Sequence, residues 1–147
     1  MFVGILEDNR ALAEVYQLAL SMEGYESRAF ALPMLFIDAI IHATPWPYDV
    51  LLCDLMLGTG LSGVDAIKAI REIIPDMPAM IISGSCTRER EKAQCALPDV
   101  PVMQKPMPLE AIFSTIERLT NSHLHTPRRF FRSGSHTRWI RNDSTRQ

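Results

Sequence analysis

The sequence has few cysteines, no long apolar run and no basic segment at its N-terminus. No apolar stretch approaches the ~18 residues that a membrane-spanning helix needs, so no transmembrane segment is predicted. The first residues, MFVGILEDN, reach acidic side chains at once, which is not the pattern of a secretory signal peptide. The three cysteines are odd in number and lack a C-x-x-C spacing, which favours reduced thiols in a cytoplasmic protein.

Charge is unevenly distributed along the chain, with an acidic N-terminal part and a basic C-terminal part. Residues 1–121 hold nine basic and sixteen acidic residues, a net charge of −7, whereas residues 122–147 hold six arginines and one aspartate, a net charge of +5. A chain of 147 residues fits one compact domain with some remainder. We therefore predict a domain over residues 1–121 and a basic, flexible tail over residues 122–147.

Short apolar runs alternate with amphipathic helical patterns throughout the predicted domain. Apolar runs predict strands at residues 2–6, 50–53, 79–82 and 100–103, and an alternating pattern predicts one at residues 25–30. Helical spacing predicts helices at residues 12–22, 35–42, 64–74, 87–97 and 109–119. Asn9 suits the N-cap of the first helix, and the third opens at Ser62 or Gly63. Five strand–helix units in this order are typical of an α/β fold, (βα)5, with a doubly wound, parallel, five-stranded sheet.

Polar side chains follow four of the five predicted strands. Glu7 and Asp8 follow the first strand, Asp54 the third, Ser83 the fourth and Lys105 the fifth. Sites in such sheets lie at the carboxyl ends of the strands, so we expect these five side chains to meet at one edge.

The stretch GTGLSG, residues 58–63, matches the dinucleotide-binding pattern G-x-G-x-x-G. That pattern belongs after the first strand of a βαβ unit, with an acid at the end of the next strand, and here neither condition holds. Asp54 and the acids near it would also repel a pyrophosphate. We therefore interpret the glycine-rich stretch as a loop beside Asp54.

The converging acids suggest cation and phosphoryl chemistry. Three carboxylates at one edge are costly to ionise together without a cation, and Mg²⁺ typically takes one or two carboxylates plus waters and phosphate oxygens. Lys105 and Ser83 suit the charge and the oxygens of a phosphoryl group, and one carboxylate can act as a nucleophile. Taken singly, the residues have plainer readings, in which Glu7 and Asp8 cap the first helix and Lys105 forms an ordinary salt bridge.

Together these residues resemble the receiver domain of two-component response regulators, a flavodoxin-like fold, over about residues 1–121. Glu7-Asp8 resembles the family's acidic pair, Asp54 the phosphoacceptor, Ser83-Gly84 the hydroxyl residue with its small neighbour, and Lys105-Pro106 the lysine–proline pair. In the family the peptide bond of that last pair is typically cis.

The resemblance implies roles for each residue. Asp8, Asp54 and the backbone carbonyl of Met56 would hold Mg²⁺, with Glu7 acting largely through water. Asp54 would take a phosphoryl group from a phosphohistidine of a sensor histidine kinase or a histidine phosphotransfer protein. Ser83 and Lys105 would bind the phosphoryl oxygens. The face formed by the fourth helix, fifth strand and fifth helix would then contact a protein target or form a homodimer.

The sequence departs from the family pattern in three places. Gly58 replaces the usual proline four residues after the acceptor, and the loop is one residue longer. Val102 replaces the usual aromatic switch residue and cannot make its in-and-out movement. The fourth helix carries the charged run TREREK, which suggests either a solvated face or a docking surface for a partner.

The basic tail is too short for the DNA-binding domain of many response regulators and lacks a helix-turn-helix pattern, so no direct DNA binding is expected. Its arginines and aromatic residues could stack on nucleic acid or lie on a membrane surface, without insertion, and a docking peptide for an acidic partner is another alternative. We favour a flexible tail.

These observations predict a self-phosphorylating signalling domain rather than a metabolic enzyme. One alternative is an interaction scaffold that does not rely on phosphorylation, which Val102 and the altered loop keep open. Another is an aspartyl-phosphate phosphatase, a class that places a second acid two residues after the nucleophile. Met56 occupies that position here and argues against it.

Overall fold

The computed structural model describes residues 1–43, 47–58, 60–122, 129–133 and 136–140. Five strands alternate with five helices before the basic segment. The elements are β1 (Phe2–Leu6), α1 (Arg10–Met22), β2 (Glu26–Phe30), α2 (Pro33–His42), β3 (Val50–Asp54), α3 (Gly63–Ile73), β4 (Ala79–Ser83), α4 (Thr87–Ala96), β5 (Val102–Gln104) and α5 (Leu109–Asn121).

The five strands form one parallel sheet in the order β2-β1-β3-β4-β5. Apolar side chains on one face of this sheet pack against α1 and α5, and those on the other face pack against α2, α3 and α4. Burying both faces explains why β1, β3 and β4, the inner strands, are almost wholly apolar. The edge strand β2 holds polar residues at three of its five positions. The predicted (βα)5 doubly wound fold is confirmed.

Side-chain capping fixes where two of the helices begin. The Asn9 side chain accepts a hydrogen bond from the amide of Leu12 and so caps α1. Ser62 and Asp65 exchange side-chain and backbone hydrogen bonds in a capping box, which starts α3 at Gly63. Both starting points agree with the sequence analysis.

The fifth strand begins later than predicted. Residues 100–103 were expected to form it, but β5 covers Val102–Gln104. The amide of Val100 turns back to the carbonyl of Leu97, and Pro101 has no amide hydrogen to offer a neighbouring strand. The Pro101 carbonyl still accepts a hydrogen bond from Ile81, so β5 enters the sheet beside β4.

Within the basic segment, β6 (Arg129–Ser133) and β7 (His136–Ile140) pair antiparallel, with Phe130 opposite Trp139. The sequence analysis did not predict these strands, and the remaining tail residues lie outside the described part of the chain. Among the residues that the structure describes, no helix has the length and apolar character needed to cross a membrane.

Candidate functional site

The sheet topology brings the five predicted site residues to one edge. Asp54 and Ser83 are the last residues of β3 and β4, Glu7 and Asp8 follow β1, and Lys105 follows β5. The registers align these ends, because β1 pairs with β3, β3 with β4 and β4 with β5 in parallel. The predicted convergence therefore follows from the order of the strands.

Lys105 bridges two of the carboxylates. Its Nζ donates to Oδ2 of Asp54 at 2.7 Å and to Oε2 of Glu7 at 3.1 Å. All three side chains are largely buried, with exposed fractions of 21% for Lys105, 13% for Asp54 and 3% for Glu7. The second oxygen of Glu7 accepts the amide of Asn9 at 3.1 Å. Each of these charged groups is therefore paired, as burial requires.

Burial and charge act in opposite directions on the protonation of this pair. Burial raises the pKa of Glu7 above its ordinary value, and the hydrogen bonds from Asn9 and Lys105 offset that rise only in part. Burial alone would lower the pKa of Lys105, but its hydrogen bonds to Asp54 and Glu7 outweigh this effect and raise the pKa. Lys105 is therefore a firmly held cation at neutral pH.

Glu7, Asp8 and Asp54 form an acidic cluster whose ligand oxygens lie within 4.8 Å of one another. Carboxylate oxygens are the donors that Mg²⁺ prefers. Three carboxylates facing one ammonium leave an excess of negative charge that suits a divalent cation. Asp8 is exposed to solvent, so the cluster is open on the side from which an ion and its waters would arrive. The donor set fits the ion that the resemblance implies.

Ser83 is fully buried, and its hydroxyl oxygen accepts the amide of Ser85 at 2.9 Å. Its carbonyl accepts the amide of Lys105 at 2.8 Å, which ties the end of β4 to the residue after β5. The Lys105–Pro106 peptide bond is cis, as the resemblance implies.

Met56 lies beside the acidic cluster but presents its amide, not its side chain, to Asp54. The amide lies 3.3 Å from Oδ1 of Asp54, and the side chain is 59% exposed. The predicted role of its backbone carbonyl as a metal ligand stays a prediction.

The described residues of the glycine-rich stretch, Gly58 and residues 60–63, lie between β3 and the first residue of α3. The Gly63 amide donates to the carbonyl of Leu55 at 2.7 Å, and a Cβ at Gly63 would lie 2.2 Å from the carbonyl oxygen of Asp54. Gly60 has a positive φ of 81°. Two of the three glycines thus serve backbone geometry next to Asp54, which agrees with the loop interpretation.

Cys53 lies just before Asp54 and belongs to the core. Its side chain is fully buried, and Sγ donates to the carbonyl oxygen of Asp54 at 3.2 Å. Burial raises the pKa of this thiol far above its ordinary value, so it is not a nucleophile.

Two sets of contacts were not predicted from the sequence. The Gly58 amide donates to Oδ2 of Asp8 at 3.0 Å. Arg90, on α4, donates to the Ser85 carbonyl and to the side chain of Gln104. In the sequence, Gly58 is recognisable only as a replacement for proline, and Arg90 only as part of a charged run. Neither feature specifies a hydrogen-bond partner.

Comparison with known proteins agrees with this geometry. The sequence model of the family described as the response regulator receiver domain matches residues 3–117. The cell cycle transcriptional regulator CtrA of Caulobacter vibrioides is 33% identical over 85 residues, which are 58% of this chain and 35% of that protein. The match thus spans about a third of the length of this curated relative.

Solved structures are similar in fold. A response regulator receiver protein from Sinorhizobium medicae has a TM-score of 0.72 at 20% identity, covering 83% of this chain and 95% of its own. A receiver domain protein from Clostridium thermocellum has a TM-score of 0.73 at 18% identity, with the same coverage. The beryllofluoride-activated NtrC4 receiver domain dimer has a TM-score of 0.70 at 21% identity, covering 83% of this chain and 98% of its own.

Proposed function

We infer that this chain, which belongs to the response regulator receiver domain family, accepts a phosphoryl group on Asp54 from a phosphohistidine of a partner. The donor would be a sensor histidine kinase or a histidine phosphotransfer protein. The observation that carries this proposal is the buried Lys105 ammonium on Oδ2 of Asp54, beside two further carboxylates at the same sheet edge. Receiver domains as a family bind Mg²⁺ through such a cluster, and we propose that this chain needs the ion for phosphoryl transfer.

The contacts of Asp54 suit it to act as the nucleophile. One oxygen faces Lys105 and the other faces the amide of Met56, so both are oriented by donors. A carboxylate oxygen forms a bond to phosphorus while the phosphorus–nitrogen bond of the phosphohistidine breaks, and its electron pair stays on the imidazole. Mg²⁺, held by Asp8, Asp54 and the carbonyl of Met56, with Glu7 acting through water, would neutralise charge on the phosphoryl oxygens.

Lys105 and Ser83 would stabilise the product. The Lys105 ammonium already lies at hydrogen-bond distance from Asp54, so a small movement brings it to a phosphoryl oxygen. The Ser83 oxygen accepts a hydrogen bond from Ser85, and its hydroxyl hydrogen can be donated to another phosphoryl oxygen. These are the roles we propose for the two residues.

The output we propose is contact with other proteins, in the cytoplasm, and not turnover of a metabolite. The candidate surface is the face of α4, β5 and α5, which would contact a protein target or a second copy of the chain. CtrA is a transcriptional regulator, but the match covers only 35% of that protein. Its output is therefore not carried over to this chain, and we propose no direct DNA binding.

Val102 supports one alternative, an interaction scaffold that functions without phosphorylation. The usual aromatic switch residue is replaced by a valine whose side chain packs against the core on the α4 side of the sheet. The phosphatase alternative has weaker support, because the thioether of Met56 cannot supply the proton that a general acid must give.

Intact mass spectrometry tests the proposal. The full chain is incubated with Mg²⁺ and a small acyl-phosphate donor, in parallel with Asp54→Ala, the isosteric Asp54→Asn and a matched surface control, Asp38→Asn. We expect one phosphoryl adduct on the wild type and on Asp38→Asn, lost when Mg²⁺ is chelated, and no adduct on either Asp54 variant. A wild type that accepts no phosphoryl group and binds no beryllofluoride would favour the scaffold.

A further inference from the structure

Arg90 connects α4 to both sides of the candidate phosphoryl site. It lies in the first turn of α4, and its guanidinium donates to the carbonyl of Ser85, to Oε1 of Gln104 at 2.9 Å and to Oγ1 of Thr87 at 3.3 Å. Ser85 belongs to the loop between β4 and α4, and Gln104 is the last residue of β5. One side chain therefore holds a loop, a strand and a helix together.

Two of these three acceptors, Ser85 and Gln104, are each linked directly to a residue that would bind the phosphoryl oxygens. The amide of Ser85 donates to the hydroxyl oxygen of Ser83 at 2.9 Å. Gln104 immediately precedes Lys105, whose amide donates to the carbonyl of Ser83 at 2.8 Å. Hydrogen bonds and the chain itself thus form a closed ring through these residues and Arg90. Ser83 and Lys105 are therefore connected to Arg90 by an unbroken series of hydrogen bonds and covalent bonds.

The replaced switch residue lies on the same side of β5 as this ring. Successive side chains of a strand point to opposite faces, so Val102 and Gln104 share the face that packs toward α4. Val102 packs with the core on that face. Gln104 lies two residues further along β5, at the end nearer the site, and binds Arg90. The chain thus lacks an aromatic side chain at residue 102 but has a polar contact between α4 and β5 two residues further along the same face.

We propose that Arg90, through Gln104 and the Ser85 carbonyl, couples occupancy of the Asp54 site to the position of α4. This inference rests on the proposed function and adds the path by which that site reaches the α4 face. Arg90 is a positioning residue, because it contacts Ser85 and Gln104 and not the reacting atoms. The planar guanidinium holds its donors in fixed geometry, so a shift of one acceptor breaks its contact unless the guanidinium follows, and the Arg90 side chain links that movement to α4.

Amide chemical shifts of the full-length chain test the coupling. Spectra are recorded with Mg²⁺, before and after addition of beryllofluoride as a phosphoryl mimic. The proteins are the wild type, Arg90→Ala, Gln104→Met and, as a control, Arg88→Ala. Gln104→Met removes the acceptor oxygen and keeps the length of the side chain. Arg88 is an exposed arginine in the same turn of α4. Thermal unfolding of each variant checks that it is folded.

We expect wild type and Arg88→Ala to respond both at residues 83–85 and at residues 91–96 of α4. Arg90→Ala and Gln104→Met should keep the response at residues 83–85 and lose about half or more of the response in α4. An undiminished α4 response in both variants would overturn the inference, and so would a wild type that responds at the site but not in α4. If the wild type shows no response to beryllofluoride at residues 83–85, the proposed function itself fails and the inference fails with it.

Discussion

The amide nitrogen of Gly58 lies 3.0 Å from Oδ2 of Asp8, so the loop after β3 holds one of the three clustered acids through its backbone. The proline that the family usually carries at this position has no amide hydrogen and could not make this bond. A Cβ at residue 58 would lie 2.6 Å from the same oxygen. Glycine therefore both supplies the donor and leaves the space for the carboxylate.

Gly58→Ala should weaken Mg²⁺ binding while changing stability little. The atom that must move is the end of the exposed Asp8 side chain, so we expect a change in the free energy of unfolding within about 0.5 kcal/mol. Displacing a ligand oxygen should weaken Mg²⁺ affinity about tenfold. Calorimetric titration of Mg²⁺ measures the affinity, and urea unfolding measures the stability.

Gly60→Ala is the matched control for that variant. Among the described residues, no atom lies within 4 Å of its added Cβ, but its φ of +81° strains residues that carry a side chain. We expect Gly60→Ala to lose about 1 kcal/mol of stability and to keep its Mg²⁺ affinity. Equal Mg²⁺ affinities for Gly58→Ala and wild type would contradict the role assigned to the Gly58–Asp8 contact.

Gly63→Ala should be strongly destabilising. The added Cβ would lie 2.2 Å from the carbonyl oxygen of Asp54 and 3.0 Å from Sγ of Cys53, so backbone must shift in a packed region. Such overpacking costs about 1–3 kcal/mol, measurable by urea unfolding. Gly84→Ala is the control, because no atom in the described part of the chain lies within 4 Å of its Cβ, and it should stay within about 0.5 kcal/mol of wild type. Similar losses for both variants would contradict this explanation.

Sequence patterns were sufficient for the architecture and for the grouping of the acids. Alternating apolar and amphipathic segments predict a parallel sheet, and such a sheet brings its strand ends to one edge whatever the details of the loops. Glu7, Asp54 and Lys105 could therefore be placed together although Lys105 is 98 residues from Glu7 in the chain. The predicted start of β5 is two residues too early, because Pro101 interrupts the hydrogen bonding of the apolar run at residues 100–103.

The contacts made by loops and long side chains could not be predicted. The Gly58–Asp8 bond joins residues 50 apart and depends on the path of a glycine-rich loop, which no periodicity specifies. Arg90 lies in a charged run that is typical of a solvated helix face, and its partners depend on which rotamer it adopts. The guanidinium reaches three acceptors because of how the side chains pack, and no sequence motif specifies these contacts.

Thiol labelling should separate the cysteines by burial. Cys86 and Cys95 are exposed, whereas Cys53 is fully buried and burial raises the pKa of its thiol. In the native state at neutral pH, we expect a maleimide to label two thiols quickly, because the thiolate is the reacting form. Labelling of Cys53 should require unfolding and speed up at least about tenfold in urea. Rapid native labelling in a Cys86→Ser, Cys95→Ser variant would show that the Asp54 strand opens locally.

The raised pKa of Glu7 makes stability depend on pH in a defined direction. The pKa of Glu7 in the folded state lies above its ordinary value of 4.5. At pH values between 4.5 and that raised pKa, the folded state therefore binds a proton more tightly than the unfolded state. The stability that Glu7 contributes is therefore fully present below pH 4.5 and is lost as pH rises through the raised pKa. In Mg²⁺-free urea unfolding, the free energy of unfolding of wild type minus that of Glu7→Gln should fall as pH rises from 4.5 towards neutrality. The same difference for the exposed Glu14→Gln should stay flat, and a Glu7 difference that is flat or rises with pH would contradict the assignment.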